Sequence, residues 1–290
     1  MFHGSIVALV TPFRDGKIDF EQLDQLVEFH IESGTHGIVP CGTTGESATL
    51  THDEHEALIE RVVRRVNGRI PVIAGTGSNS TDEAVRLTRY AKDVGADGAL
   101  LITPYYNKPT QEGMYRHFMA IAEENDIPIV LYNVPSRTGV NLLPETVIRL
   151  GDMKNIVAIK EASGGTEQST EILRESDLVV LSGDDSLTLP LMALGASGVI
   201  SVAANIVPKE MVDLVDLIAE GDASGARDVN FRLFPLFRDL FIETNPIPIK
   251  TALALSGRIG SELRPPMCEM APANQRRLEE VLRELGILGP

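Results

Sequence analysis

The chain has 290 residues, 43% hydrophobic and 23% charged, which is enough apolar material for a sizeable core and too much for global disorder. Its formal net charge of −15 argues against a general binder of nucleic acid or anionic membrane, which would present a basic face. No apolar run reaches the roughly eighteen residues of a spanning helix, and two cysteines, Cys41 and Cys268, cannot build a disulfide framework.

Residues 1–13 lack a basic leader pattern and read as a first strand beginning almost at once. These features fit a soluble protein of a reducing compartment. Short apolar runs begin at Ser5, Gly37, Pro71, Gly98, Pro128, Ile156, Val179 and Gly198. Each is aliphatic and nearly continuous, as parallel strands covered on both faces are. Helical patterns fill the gaps. Phe20, Leu23, Val27 and Ile31 share one face. Thr51 to Glu54 and Ser80 to Glu83 both spell capping boxes. Met211, Val212, Val215 and Ile218 mark a helix bracketed by Pro208 and Gly221. From about Ala223 the pattern stays helical, through Phe231, Phe234, Phe237, Leu240 and Phe241, then 249–255 and 275–285.

Eight strand–helix units predict an α/β chain: a (β/α)8 TIM barrel over 1–222, with a C-terminal helical extension over 223–290 packed on it. The alternative, a doubly wound sheet, lacks its glycine fingerprint, since Gly75-Thr-Gly77 has no third glycine.

A barrel carries its site at the C-terminal ends of its strands. Strand two ends in Gly42-Thr-Thr-Gly-Glu46, strand four in Pro104-Tyr-Tyr-Asn107 and strand five in Tyr132-Asn-Val-Pro-Ser-Arg-Thr-Gly139. Strand six carries Lys160-Glu161, and strand seven ends in Gly183-Asp-Asp185. Lys160 is the most informative residue. A lysine in a barrel strand points at the interior or at the helices, both apolar, so its amine loses basicity. Such an amine is the nucleophile that forms a Schiff base with a carbonyl. The competing assignment is a salt bridge with a barrel carboxylate such as Glu161. Tyr132 offers a phenol for proton relay, or is a core tyrosine. Thr43 and Thr44 offer donors for a small carboxylate, or make an ordinary turn and cap. The fork of Arg137 can hold a carboxylate, or lie solvated at the surface. His52 and His55 have no third metal ligand at plausible spacing. Asp184 and Asp185 precede a helix, so N-capping accounts for at least one. Cys41 reads as a buried, inert thiol.

These segments resemble the pyruvate-dependent class I aldolase family of dihydrodipicolinate synthase and N-acetylneuraminate lyase, from Ser5 to about Ala204 and more weakly through Asn245–Lys250. Thr103-Pro-Tyr-Tyr-Asn-Lys-Pro-Thr110 and the segment from Tyr132 to Gly139 are similar to the synthase branch. Arg137 discriminates, because the lyase branch generally lacks it.

The resemblance implies a cytoplasmic lyase of lysine and diaminopimelate biosynthesis. It would condense pyruvate with L-aspartate 4-semialdehyde, using no cofactor and no metal. Lys160 would form the imine. Thr43 and Thr44 would hold the pyruvate carboxylate. Tyr132 and Thr44 would relay protons with Tyr106 from a neighbouring subunit. Arg137 would bind the semialdehyde carboxylate, and Gly183 and Ile200 would line the pocket through backbone groups. The resemblance also implies a homotetramer built as a dimer of dimers, and an L-lysine effector site at Ser47, Ala48, His52, His55, Asn79, Glu83 and Tyr105. No nucleic-acid or membrane partner is expected. A sugar-acid lyase and a non-catalytic binder on the same barrel are the rival readings.

Overall fold

The computed structural model describes residues 2–289. β1 (Gly4–Ala8) precedes a small hairpin, β2 (Phe13–Arg14) and β3 (Lys17–Ile18), and then α1 (Phe20–Glu32). The alternation continues through β4 (Gly37–Val39), α2 (His52–Val66), β5 (Ile73–Gly75), α3 (Thr81–Asp93), β6 (Gly98–Ile102) and α4 (Gln111–Glu124). β7 (Ile129–Asn133) leads into the one-turn α5 (Pro135–Thr138), then α6 (Pro144–Gly151), β8 (Ile156–Glu161) and α7 (Glu167–Glu175). β9 (Val179–Ser182), α8 (Thr188–Ala193), β10 (Gly198–Ser201) and α9 (Pro208–Ala219) follow. Three more helices are α10 (Ala223–Asp239), α11 (Ile247–Leu255) and α12 (Pro272–Glu284).

The eight long-range strands form one parallel sheet in the order β4-β1-β10-β9-β8-β7-β6-β5. A bridge between Ile38 and Val72 joins its two edges and closes the barrel. All eight predicted strands are present. The first is shorter than its apolar run, since Phe13 belongs to the hairpin and Pro12 has no N–H for a ladder.

Successive strand residues face opposite sides. Ile6, Val130, Ala158 and Ile200 therefore fill the barrel interior. Ile129, Leu131 and Ile159 pack outward in a cluster with Phe118, Leu150 and Ile172. Val7 and Ile38 share a third cluster with Leu233, Phe237, Leu253 and Leu282, so α10, α11 and α12 are built onto the barrel's own packing. The buried carboxylate of Asp239 accepts from Arg238 and from Arg277, pinning α12 to α10.

Two local expectations need correction. The Thr51 capping box forms as predicted, but the Ser80 side chain caps nothing. Glu83 instead accepts from Ser78 Oγ and faces His52 Nε2 at 3.1 Å, so its carboxylate is not free to reach back to the N-cap. Neither Asp184 nor Asp185 caps the turn that follows them. The Asp185 carboxylate reaches across to accept from Ser201 Oγ, Val202 N–H and Ala203 N–H at 2.5, 3.2 and 2.9 Å, capping the turn after β10.

Candidate active site

Strand parity settles where Lys160 points. It shares the inward parity of Ala158, whereas Glu161 shares the outward parity of Ile159. Glu161 is therefore not its partner. Among the described residues no carboxylate lies within ion-pair distance of the Lys160 amine. Register sets Tyr132 of β7 directly beside it, and Lys160 Nζ lies 4.3 Å from the centre of the Tyr132 ring. Both are buried. Burial pulls the Lys160 amine down to about 8, against the opposing charges of Asp184 and Asp185. Burial pushes the Tyr132 phenol up to about 12, opposed by the charge of Arg137 and by the Thr43 hydroxyl.

These groups open into a cavity of about 740 Å³ at the C-terminal mouth of the barrel, also lined by Thr43, Thr44, Arg137, Gly183 and Asp184. A Cβ on Gly183 would come within 2.6 Å of the Ala162 side chain and 3.2 Å of Lys160 Cε. Only glycine leaves the lysine its space. Ile200 is fully buried in the interior cluster, on β10, two strands from Lys160.

Four groups had no role at the site in the sequence reading. Asp184 lines the cavity as a carboxylate facing the amine. Asn245 Nδ2 donates to Thr44 Oγ1 at 2.9 Å, and its carbonyl accepts from Arg137 Nη2 at 3.1 Å. Asn245 thus ties the two expected carboxylate-binding elements together. Glu46 has a left-handed backbone, φ 54°. Its carboxylate accepts from Lys250 Nζ at 2.6 Å and from Arg264 N–H at 3.0 Å. Lys250 and Glu46 are both buried. The available signal was a lone cation, Lys250, inside the apolar run of α11.

Tyr106 is not brought to Lys160 within the chain. It is 90% exposed with φ 73° and lines neither cavity described here. Six of the seven expected effector residues do gather. Ser47, Ala48, His52, His55, Glu83 and Tyr105 line an adjoining cleft of about 480 Å³. Asn79 does not line it, but its Nδ2 donates to the Tyr105 carbonyl at 3.2 Å. His55 is buried and donates from Nε2 to the Gly75 carbonyl at 2.7 Å, and burial lowers its pKa. His52 meets Arg86 and Glu83 instead, so the two histidines do not converge. Cys41 is buried, and burial pushes its thiol well up. The two cavities share Thr43, Tyr132, Arg137 and Asn245 as a common wall.

A family model, the dihydrodipicolinate synthetase family, matches residues 1–285. The 4-hydroxy-tetrahydrodipicolinate synthase of Thermodesulfovibrio yellowstonii is 57% identical over 290 residues, covering 99% of this chain and 100% of that one. A dihydrodipicolinate synthase of Acinetobacter baumannii, solved in complex with pyruvate, is 48% identical with a TM-score of 0.97, covering 99% and 100% of the two chains. The counterpart from Cyanidioschyzon merolae, solved with lysine bound, is 42% identical with a TM-score of 0.96, covering 99% of each. The chain belongs to the dihydrodipicolinate synthetase family.

Proposed function

We propose that this chain condenses pyruvate with L-aspartate 4-semialdehyde through an imine on Lys160, giving 4-hydroxy-tetrahydrodipicolinate for lysine and diaminopimelate biosynthesis. The observation that carries this reading is the buried Lys160 amine, lowered to about 8 and set beside Tyr132 at the cavity floor. A substantial neutral fraction near neutral pH is what attack on a ketone needs.

The neutral amine attacks the keto carbon of pyruvate. Loss of water leaves the imine, and loss of a methyl proton gives the enamine. Its carbon attacks the aldehyde, whose oxygen takes a proton. The amine of the incoming substrate then displaces Lys160 and closes the six-membered ring. Tyr132, protonated throughout the physiological range, donates and recovers protons, with Thr44 as its relay. Thr43 and Thr44 hold the pyruvate carboxylate, Arg137 holds that of the semialdehyde, and backbone groups at Gly183 and Ile200 line the pocket. The imine is itself the electron sink, so the chemistry calls for no cofactor.

Tyr106 enters this relay from a second copy of the chain. Its 90% exposure and its place outside the cavities support that role. The working assembly is a homotetramer, a dimer of dimers. Exposed Phe231 and Phe234 on α10, with Leu194 after α8, support a second apolar contact. The outer cleft takes L-lysine as effector, contacted by Ser47, Ala48, His52, His55, Asn79, Glu83 and Tyr105. The lysine-bound relative and the carboxylate of Glu83, suited to an ammonium, support this. Two cysteines outside any disulfide, and no helix among the described residues long and apolar enough to cross a membrane, accord with a cytoplasmic setting.

Pyruvate plus borohydride is expected to add a reduced pyruvyl mass at Lys160. Turnover is expected with the semialdehyde and not with N-acetylmannosamine, and is expected to vanish in Lys160→Ala. Turnover with the sugar, or an active Lys160→Ala, would overturn the reading.

A further inference from the structure

Lys160 and Tyr132 each have a sequence neighbour facing the other way. Strand alternation sends Glu161 and Asn133 to the outer side of β7 and β8. Both are buried, at 2% and 0% exposure. Register pairs Asn133 with Glu161, one step beyond the pairing of Tyr132 with Lys160. Asn133 Nδ2 donates to the two Glu161 carboxylate oxygens at 3.3 and 3.1 Å and to Asn141 Oδ1 at 2.8 Å. Asn133 Oδ1 accepts from Leu142 N–H at 2.9 Å. Glu161 Oε1 accepts from Ser163 N–H at 2.7 Å. The Glu161 carbonyl accepts from Gly183 N–H at 2.7 Å.

No step of the condensation uses this cluster. A carboxylate in that place is costly to bury, and a packed apolar pair would fill the volume more cheaply. One more observation gives it a purpose. The β7–β8 ladder shifts register between Ile129 and Val130, at the start of β7. Above that point the ladder runs unbroken from Val130–Ala158 to Asn133–Glu161, so the buried side-chain pair stands on its last rung, at the barrel mouth. The Asn133–Glu161 pair sits above the shift and bonds to both flanking loops.

We propose that Asn133 and Glu161 are positioning residues for the condensation: their buried pair locks Lys160 against Tyr132 and holds the 134–143 loop, which carries Arg137, over the cavity. This rests on the roles given above to Lys160, Tyr132 and Arg137. A misplacement of about 1 Å in such a constellation costs on the order of 100-fold in rate.

The test compares Glu161→Ala, Glu161→Gln and Asn133→Ser in the full chain. It measures turnover, borohydride trapping of the pyruvate imine across pH, and amide hydrogen exchange over 134–143. Glu161→Ala is expected to lose about 10- to 100-fold in kcat, with faster exchange in that loop and an unchanged pH midpoint for imine formation. Glu161→Gln, which can still accept from Ser163, is expected to recover most of the rate. If Glu161→Ala does not fold, Asn133→Ser is expected to show the same loop loosening and a smaller loss of rate. Wild-type exchange and kcat in Glu161→Ala, or in Asn133→Ser where it stands in, would overturn the proposal. So would a Glu161→Gln enzyme as slow as the alanine variant with a shifted pH midpoint, because charge and not position would then be the cause. A wild-type chain that traps no pyruvate would instead sink the proposed function, while the exchange measurement would still judge the hold on the loop.

Discussion

An amine buried at Lys160 weakens the fold, and the penalty has a sign and a pH window. Its pKa falls from 10.5 to about 8 on folding. Between those values the unfolded chain holds a proton that the folded chain does not, so stability rises as pH climbs from about 8 toward 10.5. Below about 8 the whole penalty is present, an upper bound of roughly 3 kcal/mol. Lys160→Met is therefore expected to be about 1–3 kcal/mol more stable than the wild type at pH 7, and the gap to close by pH 10.5. Urea unfolding at the two pH values measures both. A methionine variant no more stable at pH 7 would contradict the assignment. In the proposed mechanism the rate of imine formation is expected to rise as the pH passes about 8, where the amine loses its proton.

Among the elements, α11 reaches back to the turn after β4. The Lys250–Glu46 pair at 2.6 Å holds Glu46 in its left-handed conformation beside Thr43 and Thr44. Removing one partner of such a pair leaves a buried charge uncompensated. Lys250→Met is expected to cost about 3–5 kcal/mol in stability and to weaken pyruvate binding. Adding Glu46→Gln is expected to restore part of the stability. Thermal unfolding of the two variants checks this, and a fully stable Lys250→Met would show that the pair is dispensable.

This contact marks the boundary of what the sequence made legible. The eight strands could be read because each is a continuous apolar run between helical patterns. Lys160 and Tyr132 could be read because a polar group at the end of such a run is conspicuous. The partners of the Thr43–Thr44 turn could not. Asn245 and Lys250 lie some 200 positions away, and only tertiary packing brings them to Thr44 and Glu46. The failed caps have a similar cause. Asp185 finds better donors across the barrel mouth at Ser201 and Ala203 than in its own turn, and local spacing holds no trace of that competition.

At the scale of the whole molecule, a chain of net charge −15 must admit two substrates that each carry a carboxylate. Arg137 and Lys160 at the cavity supply the local positive field that the overall charge does not. The proposed assembly draws on the outer surface. Phe231 is 66% exposed and Phe234 47%, one turn apart on α10. Aromatic rings so placed are unfavourable in water and favourable against a second copy. Changing both to aspartate is expected to halve the sedimenting mass while leaving the circular dichroism unchanged. An unaltered mass would place the contact elsewhere.

The alternation along β7 and β8 bears on how the enzyme could be diversified in the laboratory. Tyr132 and Asn133, like Lys160 and Glu161, are encoded by adjacent codons, yet one of each pair faces the cavity and the other faces scaffold. A library that randomises contiguous stretches would scramble both functions at once and return mostly inactive clones. One that varies every second codon on the inward phase, and leaves the outward phase alone, would sample new acceptors on an intact frame.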